Sequence, residues 1–271
     1  MAVIAISRQV AALGDEIADA LAQKLGYTFI DRKQIESRIV ELGFPQSKLP
    51  EYDERKPKFF ASLAKNRDEY LNYLQVAVLE AAATGNCILI GRGSFIILEN
   101  VPNLIPVRLV SRDDVRLERL KNEFSWSDRQ AQSRIDESDS NRRGFHKSFF
   151  NLQNEDPQNF MLTLNTSLLS LDESVRILES LVKIKASPES EAAGKERIEQ
   201  LLKAQRLVNQ LLFDFRLNVN FLHASVQDNI ITLQGVADSP SIAQKAVETA
   251  ANILPSCEIR SAITIVQDFK A

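Results

Sequence analysis

The chain has 271 residues, and its 33 Lys and Arg residues nearly balance its 36 Asp and Glu residues, leaving a formal charge of -3. Hydrophobic residues make up 44% and charged residues 25%, a composition typical of globular proteins and not of disordered tails. The near-neutral charge argues against a protein built mainly to bind nucleic acid, because such proteins usually carry a strong basic excess. The length leaves room for two domains.

Cysteines, histidines and apolar runs exclude further classes. Cys87 and Cys257 lie far apart in apolar surroundings, which predicts two buried, reduced thiols and not a disulfide framework. His146 and His223 are the only histidines, so a multi-histidine metal site is excluded. No apolar run is long enough to span a bilayer, and the run at Ala2–Ile6 is too short for a signal peptide. We therefore expect a cytoplasmic protein in a reducing compartment.

The N-terminal residues predict a strand, a loop and a helix. Ala2–Ser7 is a continuous apolar run, as expected for a strand buried on both faces of a parallel sheet. Apolar residues recur at helical spacing through Asp15–Leu25, and Gly26 provides a C-terminal stop. This order is the opening of a doubly wound α/β domain.

The same alternation continues to about residue 184. Apolar runs predict three more strands, and helical periodicity predicts three more helices, one of which begins with the capping-box pair Ser170 and Glu173. Such alternation favours right-handed crossovers in a parallel sheet. The predicted elements are a helix at Tyr70–Ala83, strands at Cys87–Gly91 and Leu104–Ser111, a helix at 113–124, a strand at Phe160–Ser167 and a helix at Leu169–Ile184.

The segment Ser125–Gln158 is polar, carries both charge signs and has few aliphatic residues. Two interpretations stay open, a mobile helical lid and a pair of solvated surface helices, and composition alone favours the second. We expect His146 to be an exposed helix residue and Trp126 to be a packing residue beneath this segment.

The last third of the chain predicts a second, smaller unit. A stretch rich in Pro, Ser, Glu and Gly predicts a linker at residues 187–195, which would separate domains at 1–186 and 196–271. The elements beyond it predict a small α+β module. They are a helix at Glu196–Phe215, a β-hairpin with its turn at Asp228–Asn229, a helix at Ser241–Ile253 and a strand at Cys257–Val266.

The loop after the first strand lies where this architecture binds phosphates, because backbone N–H groups and the positive end of the helix favour an anion. The full P-loop pattern places a lysine and a hydroxyl residue after its last glycine. Ser7–Ile17 keeps only Gly14, and Asp15 stands where a positive charge is expected. The loop therefore fails the pattern, and a carboxylate beside a polyphosphate repels it unless a metal ion intervenes.

Six short motifs in a fixed order carry a resemblance to a known family. They are Ser7-Arg8-Gln9 with Gly14, Glu16-Ile17-Ala18 with Leu25-Gly26, Tyr27–Glu36, Gly91–Leu98, Asp139–Arg142 and Asn165–Val175. Together they resemble the cytidylate kinase-like family, a branch of the P-loop nucleoside monophosphate kinases, over roughly residues 1–184. The set in this order is more specific than any one motif.

The resemblance implies a P-loop kinase-like parallel sheet flanked by helices. It also implies transfer of phosphate from ATP, with Mg²⁺, to CMP or a related nucleoside monophosphate, and it assigns no protein ligand to the metal. The residues it implies are Ser7, Arg8, Gly14, Asp15 and Glu16 for ATP, Asp31, Arg92 and Gly93 for the acceptor nucleotide, and Arg134 and Arg142 as catalytic residues of a closing lid.

Each of these assignments has a structural alternative. For Arg8, binding and pairing at the strand end stand about even, whereas Asp31 reads better as a helix cap. Arg92 lies between two glycines at the carboxyl end of a strand, which favours a role in binding. Without the resemblance, Arg134 and Arg142 would be assigned to a solvated face.

The chain departs from the family pattern in its loop. Ala11, Ala12 and Leu13 stand where the family has glycine and serine, and Asp15 replaces a basic residue. Met161 stands where the family has an aspartate. Phosphoryl transfer depends on positioning and on neutralising charge, so weakened or absent ATP turnover is an open alternative.

The C-terminal unit resembles a BON domain through the segments Val219–Ala250 and Cys257–Val266, with Gly235 following the second hairpin strand. That resemblance implies binding of phospholipid or another ligand. A module for a protein partner or for self-association is an equal alternative, because the unit lacks a basic patch for an anionic membrane.

Three functions follow from these observations. The first is an ATP-dependent kinase of CMP-type monophosphates. The second is a non-catalytic nucleotide sensor that signals through the BON-like module, and the third is a structural role in an assembly. Because the charge is near neutral, we expect no nucleic-acid partner in any of the three.

Overall fold

The computed structural model describes residues 2–52 and 67–266. Eight strands and nine α-helices form in these ranges. The strands are β1 (Val3–Arg8), β2 (Thr28–Ile30), β3 (Cys87–Ile90), β4 (Leu104–Val110), β5 (Leu162–Asn165), β6 (Val219–Gln227), β7 (Ile230–Ala237) and β8 (Glu258–Ile265). The helices are α1 (Gly14–Leu25), α2 (Arg32–Glu41), α3 (Arg67–Ala83), α4 (Ser94–Ile97), α5 (Asp113–Phe124), α6 (Asp128–Phe150), α7 (Leu171–Lys185), α8 (Pro188–Asn209) and α9 (Pro240–Ile253).

The first sheet has five parallel strands in the order β2-β3-β1-β4-β5. β1 is central, with Val3 aligned to Cys87 of β3 and to Leu104 of β4, and all six of its residues are buried. The predicted strands and helices of this domain are confirmed, and the parallel sheet with its flanking helices fits the P-loop kinase type of α/β fold. β2, only three residues long, was not predicted, because so short a run carries no periodicity.

Two apolar layers cover this sheet. Val3 and Ala5 of β1 face a core formed with α2 and α3, whereas Ile4 and Ile6 face a core formed with α1 and α7. Strand side chains alternate between faces, which explains why a strand buried on both sides is continuously apolar. The strands β2 and β3 lie on one side of β1, and β4 and β5 lie on the other. The carboxyl end of β1 is therefore the topological switch point, where this architecture places ligands.

The polar segment after α5 is one helix of 23 residues, α6, and not a pair of solvated helices. A capping box joins Ser127 and Gln130 at its start. One face of its C-terminal half is buried, and His146 on that face is only 4% exposed, with Nδ1 lying 2.8 Å from the carbonyl oxygen of Arg142. The expectation that His146 is exposed is therefore wrong, because composition does not reveal which face of a polar helix packs.

The stretch predicted as a linker, residues 187–195, contains the N-cap and the first two turns of α8. Ser187 forms a capping box with Ser190, and Pro188 occupies the first helical turn, where proline is well tolerated. Gly194 is buried against Asn103, and a Cβ added at Gly194 would lie 1.9 Å from the Oδ1 atom of that residue. The same helix thus continues from the first unit into the second, and the division into domains remains a prediction.

The second sheet has the order β6-β7-β8. β6 and β7 are antiparallel, as the predicted hairpin requires, and β8 is parallel to β7. One face packs against α8 and α9 around a separate apolar core. The predicted order of helix, hairpin, helix and strand is present, while the likeness to a BON domain stays a prediction.

Both cysteines are free, but Cys257 is half-buried, so the prediction that both thiols are buried is wrong for Cys257. Cys87 is buried in β3, and burial raises the pKa of its thiol to about 12. None of the described helices is both long enough and apolar enough to cross a membrane.

Candidate nucleotide-binding site

The loop between β1 and α1 bends through left-handed residues although Gly14 is its only glycine. Ala11 and Leu13 adopt left-handed backbone conformations, with φ of 57° and 55°. Leu13 is the N-cap of α1 and provides no side-chain cap, so the N–H groups of the first turn depend on water or on a ligand. An anion bound at this turn would satisfy them and interact favourably with the helix dipole.

Two arginines of α5 hold the loop from behind. Arg116 donates from Nε to the carbonyl oxygen of Val10 at 3.0 Å, and Arg119 donates from Nη1 to that of Ala11 at 2.9 Å. Arg116 is 1% exposed and also forms two 2.9 Å hydrogen bonds to the carboxylate of Asp139 on α6. These bonds offset the cost of the left-handed residues and tie the loop to α6. Sequence reasoning missed both arginines, although their spacing of three residues on a helix that follows a strand was a usable signal.

Arg8 passes directly over Gly14. A Cβ added at Gly14 would lie 2.6 Å from Cγ of Arg8, so this position requires glycine for a close approach. Arg8 is 7% exposed, and its Nη2 atom lies 4.0 Å from Oδ1 of Asp15, whose side chain is 62% exposed. The buried guanidinium therefore lies beside the loop, where the sequence has no lysine.

A cleft of about 540 Å³ opens in front of the loop, and α5 and α6 form its opposite side. Three arginines and three carboxylates line it, so the cleft is electrically balanced. These residues are Arg8, Arg134, Arg142, Asp15, Glu16 and Glu123. Six of the ten residues assigned from the sequence, including Gly14, are thus brought together in one cleft.

The two arginines of α6 that line the cleft differ in their freedom to move. Arg134 is 25% exposed and lies 3.3 Å from Glu137 on the same helix. Arg142 is 8% exposed and donates to Oγ of Ser138 at 2.6 Å. Arg134 can therefore change partner at little cost, whereas Arg142 is part of the packed half of the helix.

One wall of the cleft is aromatic. Phe124 and Trp126 stack with ring centroids 4.6 Å apart, and Phe124 is 48% exposed. Trp126 packs on the small cluster that includes Leu120, as a packing residue would, but it also lines the cleft. An exposed aromatic face can stack with the planar base of a nucleotide.

The remaining assigned residues lie outside this cleft. Ser7 lies beneath the loop, where its hydroxyl accepts from Nη1 of Arg108 at 3.1 Å. Asp31 is the N-cap of α2 and accepts from the N–H of Gln34 at 2.9 Å, as its capping alternative predicts. The roles of both residues in binding stay predictions.

Arg92 and Gly93 follow β3. Arg92 is 1% exposed, donates from Nη1 to the carbonyl oxygen of Tyr52 at 2.7 Å and bonds the carboxylate of Glu36 through Nη2. Its guanidinium also lies 5.8 Å from the ring centre of Phe145. Gly93 has a φ of 68°, which favours glycine. An acceptor phosphate would have to share Arg92 with Glu36.

The donor set of the cleft fits a magnesium-bound polyphosphate better than a bare one. Asp15 and Glu16 both line the cleft at the loop, where their charges would repel unaccompanied phosphates. Magnesium is commonly held by one or two carboxylates together with substrate phosphates. Within residues 2–52 and 67–266 no group of three or more His, Cys, Asp or Glu side chains is placed to hold a metal ion.

Comparisons with known proteins identify a family and a fold that this chain resembles. Residues 3–168 match the model of the cytidylate kinase-like family. A solved structure of an uncharacterized protein from Eubacterium ventriosum ATCC 27560 is 15% identical, with a TM-score of 0.52 over 68% of this chain and 99% of that one, which is a likeness of fold.

Two further structures overlap more loosely, both with a TM-score of 0.43 and 17% identity. The alignment with a shikimate kinase from Bacteroides thetaiotaomicron covers 67% of this chain and 98% of that one. The alignment with a gluconokinase from Sinorhizobium meliloti 1021 covers 68% of this chain and 93% of that one. No match to a curated protein was found.

Proposed function

The chain belongs to the cytidylate kinase-like family, and on that premise we propose that it transfers phosphate from ATP to CMP or a related nucleoside monophosphate, at a rate reduced by its altered loop. Family membership supports nucleotide binding and phosphoryl transfer of the P-loop kinase type. The acceptor, the reduced rate and the residue roles are our proposal.

A single observation carries the proposal most strongly. The loop keeps its bend although Ala11 and Leu13 must adopt left-handed conformations, and Arg116 and Arg119 hold it there. Such strain persists only where the surrounding structure imposes it, and it is concentrated at functional sites. The bent loop, the arginines and the aromatic wall together provide partners for the phosphates and the base of a nucleotide.

The charges suggest a division of roles. Backbone N–H groups around Gly14 would bind the phosphates, with Arg8 supplying the positive charge that a lysine supplies in the full pattern. Magnesium would neutralise phosphate charge between Asp15, Glu16 and the nucleotide, and this is the chemistry it adds when bound. Arg134 and Arg142 would stabilise the charge of the transferring group. The acceptor would lie towards Asp31, Arg92 and Gly93.

Binding can be measured directly, because Trp126 is the only tryptophan in the chain and lines the cleft. We expect Mg-ATP to change its fluorescence saturably. Transfer from radiolabelled ATP to CMP, dCMP, UMP and AMP then tests the reaction. If neither ATP nor any of these monophosphates changes the fluorescence or the thermal midpoint, the proposed function is wrong.

Arg134→Gln tests the role of α6. We expect it to lower kcat by roughly tenfold or more while leaving the KM for ATP nearly unchanged, because its charge acts on the transferring group. Arg129→Gln is the matched control, since Arg129 lies on the same helix, is exposed and does not line the cleft. Equal loss in both variants would contradict a specific role for Arg134.

A nucleotide sensor is the second candidate, because Asp15 stands where a basic residue is expected and α8 packs directly on α3. It predicts nucleotide affinity without turnover, together with a change in self-association or in vesicle binding when nucleotide is added. Binding of nucleotide with no transfer to any of the four monophosphates favours this function. If added nucleotide changes neither self-association nor vesicle binding, the sensor function is contradicted.

A further inference from the structure

A second cavity, of about 530 Å³, lies where α3 meets α8 and the π-helix Gln210–Asp214 that follows α8. Its volume lies within the range of small-molecule sites, and such sites occur preferentially where two structural units meet. π-Helices are rare and are frequently associated with function. The nucleotide cleft does not include any of these elements.

The cavity has an apolar, partly aromatic wall. Tyr73 of α3 and Phe213 of the π-helix stack with ring centroids 4.8 Å apart and an interplanar angle of 9°. The buried side chains of Val76, Leu202 and Leu207 continue this wall. Such a surface is suited to a flat apolar body.

A lysine lies inside the cavity, beside a cysteine. Lys203 of α8 is half-buried, and its Nζ atom lies 2.7 Å from Sγ of Cys257. Among the described residues no carboxylate lies within ion-pair distance of this nitrogen. A charge removed from water without a counter-ion is unfavourable, so an anionic group placed here would be stabilised.

The other charges around the cavity are engaged or solvated. Arg206 lies 2.7 Å from Glu80, and Glu199 lies 4.0 Å from Lys195. Asp214 is exposed at the mouth. Lys203 is thus the group best placed to select the charge of a ligand.

We propose that this cavity is a binding site for a small, flat, apolar molecule with one acidic group, whose ring packs along Tyr73 and Phe213 and whose acid pairs with Lys203. The site is independent of the proposed kinase function, since it shares no residue with the nucleotide cleft. Both α3 and α8 line it, so its occupant would contact both units of the chain.

Calorimetric titration of the full chain with 1-naphthalenesulfonate tests the charge requirement, with 1-naphthalenemethanol as the neutral comparison. We expect the sulfonate to bind one site per chain and the alcohol to bind about tenfold more weakly or worse. Equal affinity for the two probes, or no saturable binding of the sulfonate, would overturn the proposal, and this comparison needs no variant.

Variants then locate the site. Lys203→Gln should weaken the sulfonate by about tenfold and leave the alcohol unchanged, while Lys203→Arg should retain most of the affinity. Lys195→Gln is the matched control, an exposed lysine on the same helix outside the cavity. A Lys203→Gln protein that binds the sulfonate as the unaltered chain does, or a Lys195→Gln protein that loses as much affinity, would contradict the assignment.

Discussion

Ala11 holds a left-handed conformation that glycine adopts without steric cost, whereas its neighbour Ala12 is fully buried and has no positive φ. The strain at Ala11 is of the order of 1 kcal/mol, and glycine would remove it. Glycine also raises the entropy of the unfolded chain, which lowers the free energy of unfolding by about 0.4–1 kcal/mol. The two positions should therefore differ in how far glycine changes the free energy of unfolding.

We predict that Ala11→Gly leaves the free energy of unfolding within about 0.5 kcal/mol of the original value or raises it, because relief of strain offsets chain entropy. Ala12→Gly should lower it by about 1–2 kcal/mol, because a buried methyl group is lost and nothing is relieved. Urea denaturation measures both. Equal destabilisation of the two variants would mean that Ala11 is not strained.

Asp15 makes the charge of the cleft testable. We predict that Asp15→Lys strengthens the binding of metal-free ATP by roughly tenfold or more, because a repulsion becomes an attraction in a partly screened site. The advantage of adding magnesium should shrink in the same variant. Tryptophan fluorescence, with and without a chelator, measures both affinities.

Asp19→Lys is the control, since Asp19 is exposed one turn further along α1 and bonds Gln23. It should change the affinity by less than about threefold, because exposed charges are screened by salt. If Asp15→Lys has no larger effect than this control, the carboxylate of Asp15 does not face bound phosphate.

Helix α8 packs against the first unit through Gly194. In an ordinary helix Gly→Ala stabilises by about 1 kcal/mol, but here the new methyl group would meet the buried side chain of Asn103, with Oδ1 only 1.9 Å away. Ile198 and Leu202 of the same helix belong to the core formed with α3. A helix forced away from this contact would lose apolar packing as well.

We predict that Gly194→Ala destabilises the protein by about 2 kcal/mol or more, against its helix propensity, through this steric conflict. The neighbouring exposed residue provides a control, and Ala193→Gly should cost only about 1 kcal/mol. Thermal and urea denaturation compare them. A stabilised Gly194→Ala protein would show that α8 is not held against Asn103.

Glu80 joins three helices across the two units. Its carboxylate accepts hydrogen bonds from Arg38 of α2 at 2.6 Å and from Arg206 of α8 at 2.7 Å. A further hydrogen bond between α3 and α8 runs from Gln205 to Asn72 at 2.7 Å. Burial alone would raise the pKa of Glu80, but the hydrogen bonds from both arginines outweigh burial and hold that pKa below its ordinary value of 4.5. The carboxylate is therefore stabilised in the folded state.

We predict that Glu80→Gln lowers the free energy of unfolding at neutral pH by about 1–2 kcal/mol. Because the folded pKa is lowered, this contribution is complete above 4.5 and is lost as the pH falls through the lowered value. The difference between the two proteins should therefore shrink in acid, as measured by urea denaturation across pH. Glu41→Gln removes only the exposed 2.9 Å contact with Arg38 and should cost about 0.5 kcal/mol or less.

The elements predicted from sequence were those whose signal is local. Buried strands such as β1 are apolar on both faces, and α7 carries its own capping box, so periodicity and capping place them without tertiary information. The grouping of Arg8, Gly14, Asp15, Glu16, Arg134 and Arg142 in one cleft was reached through the family motifs. The short strand β2 was missed because a run of three residues carries no periodicity. The first two turns of α8 were missed because their Pro, Ser, Glu and Gly residues predicted a linker, although Ser187 and Ser190 form a capping box there.

The sequence by itself determined the α/β order of the first unit, the α+β order of the second and the loop that departs from the phosphate-binding pattern. These features follow from side-chain polarity and spacing along the chain. Only the tertiary structure decided that Arg116 and Arg119 hold the altered loop, that His146 is buried and that Lys203 lies inside a cavity with an apolar wall. Each of these depends on contacts between residues distant in sequence, where burial and hydrogen-bond geometry act across elements that no local pattern connects.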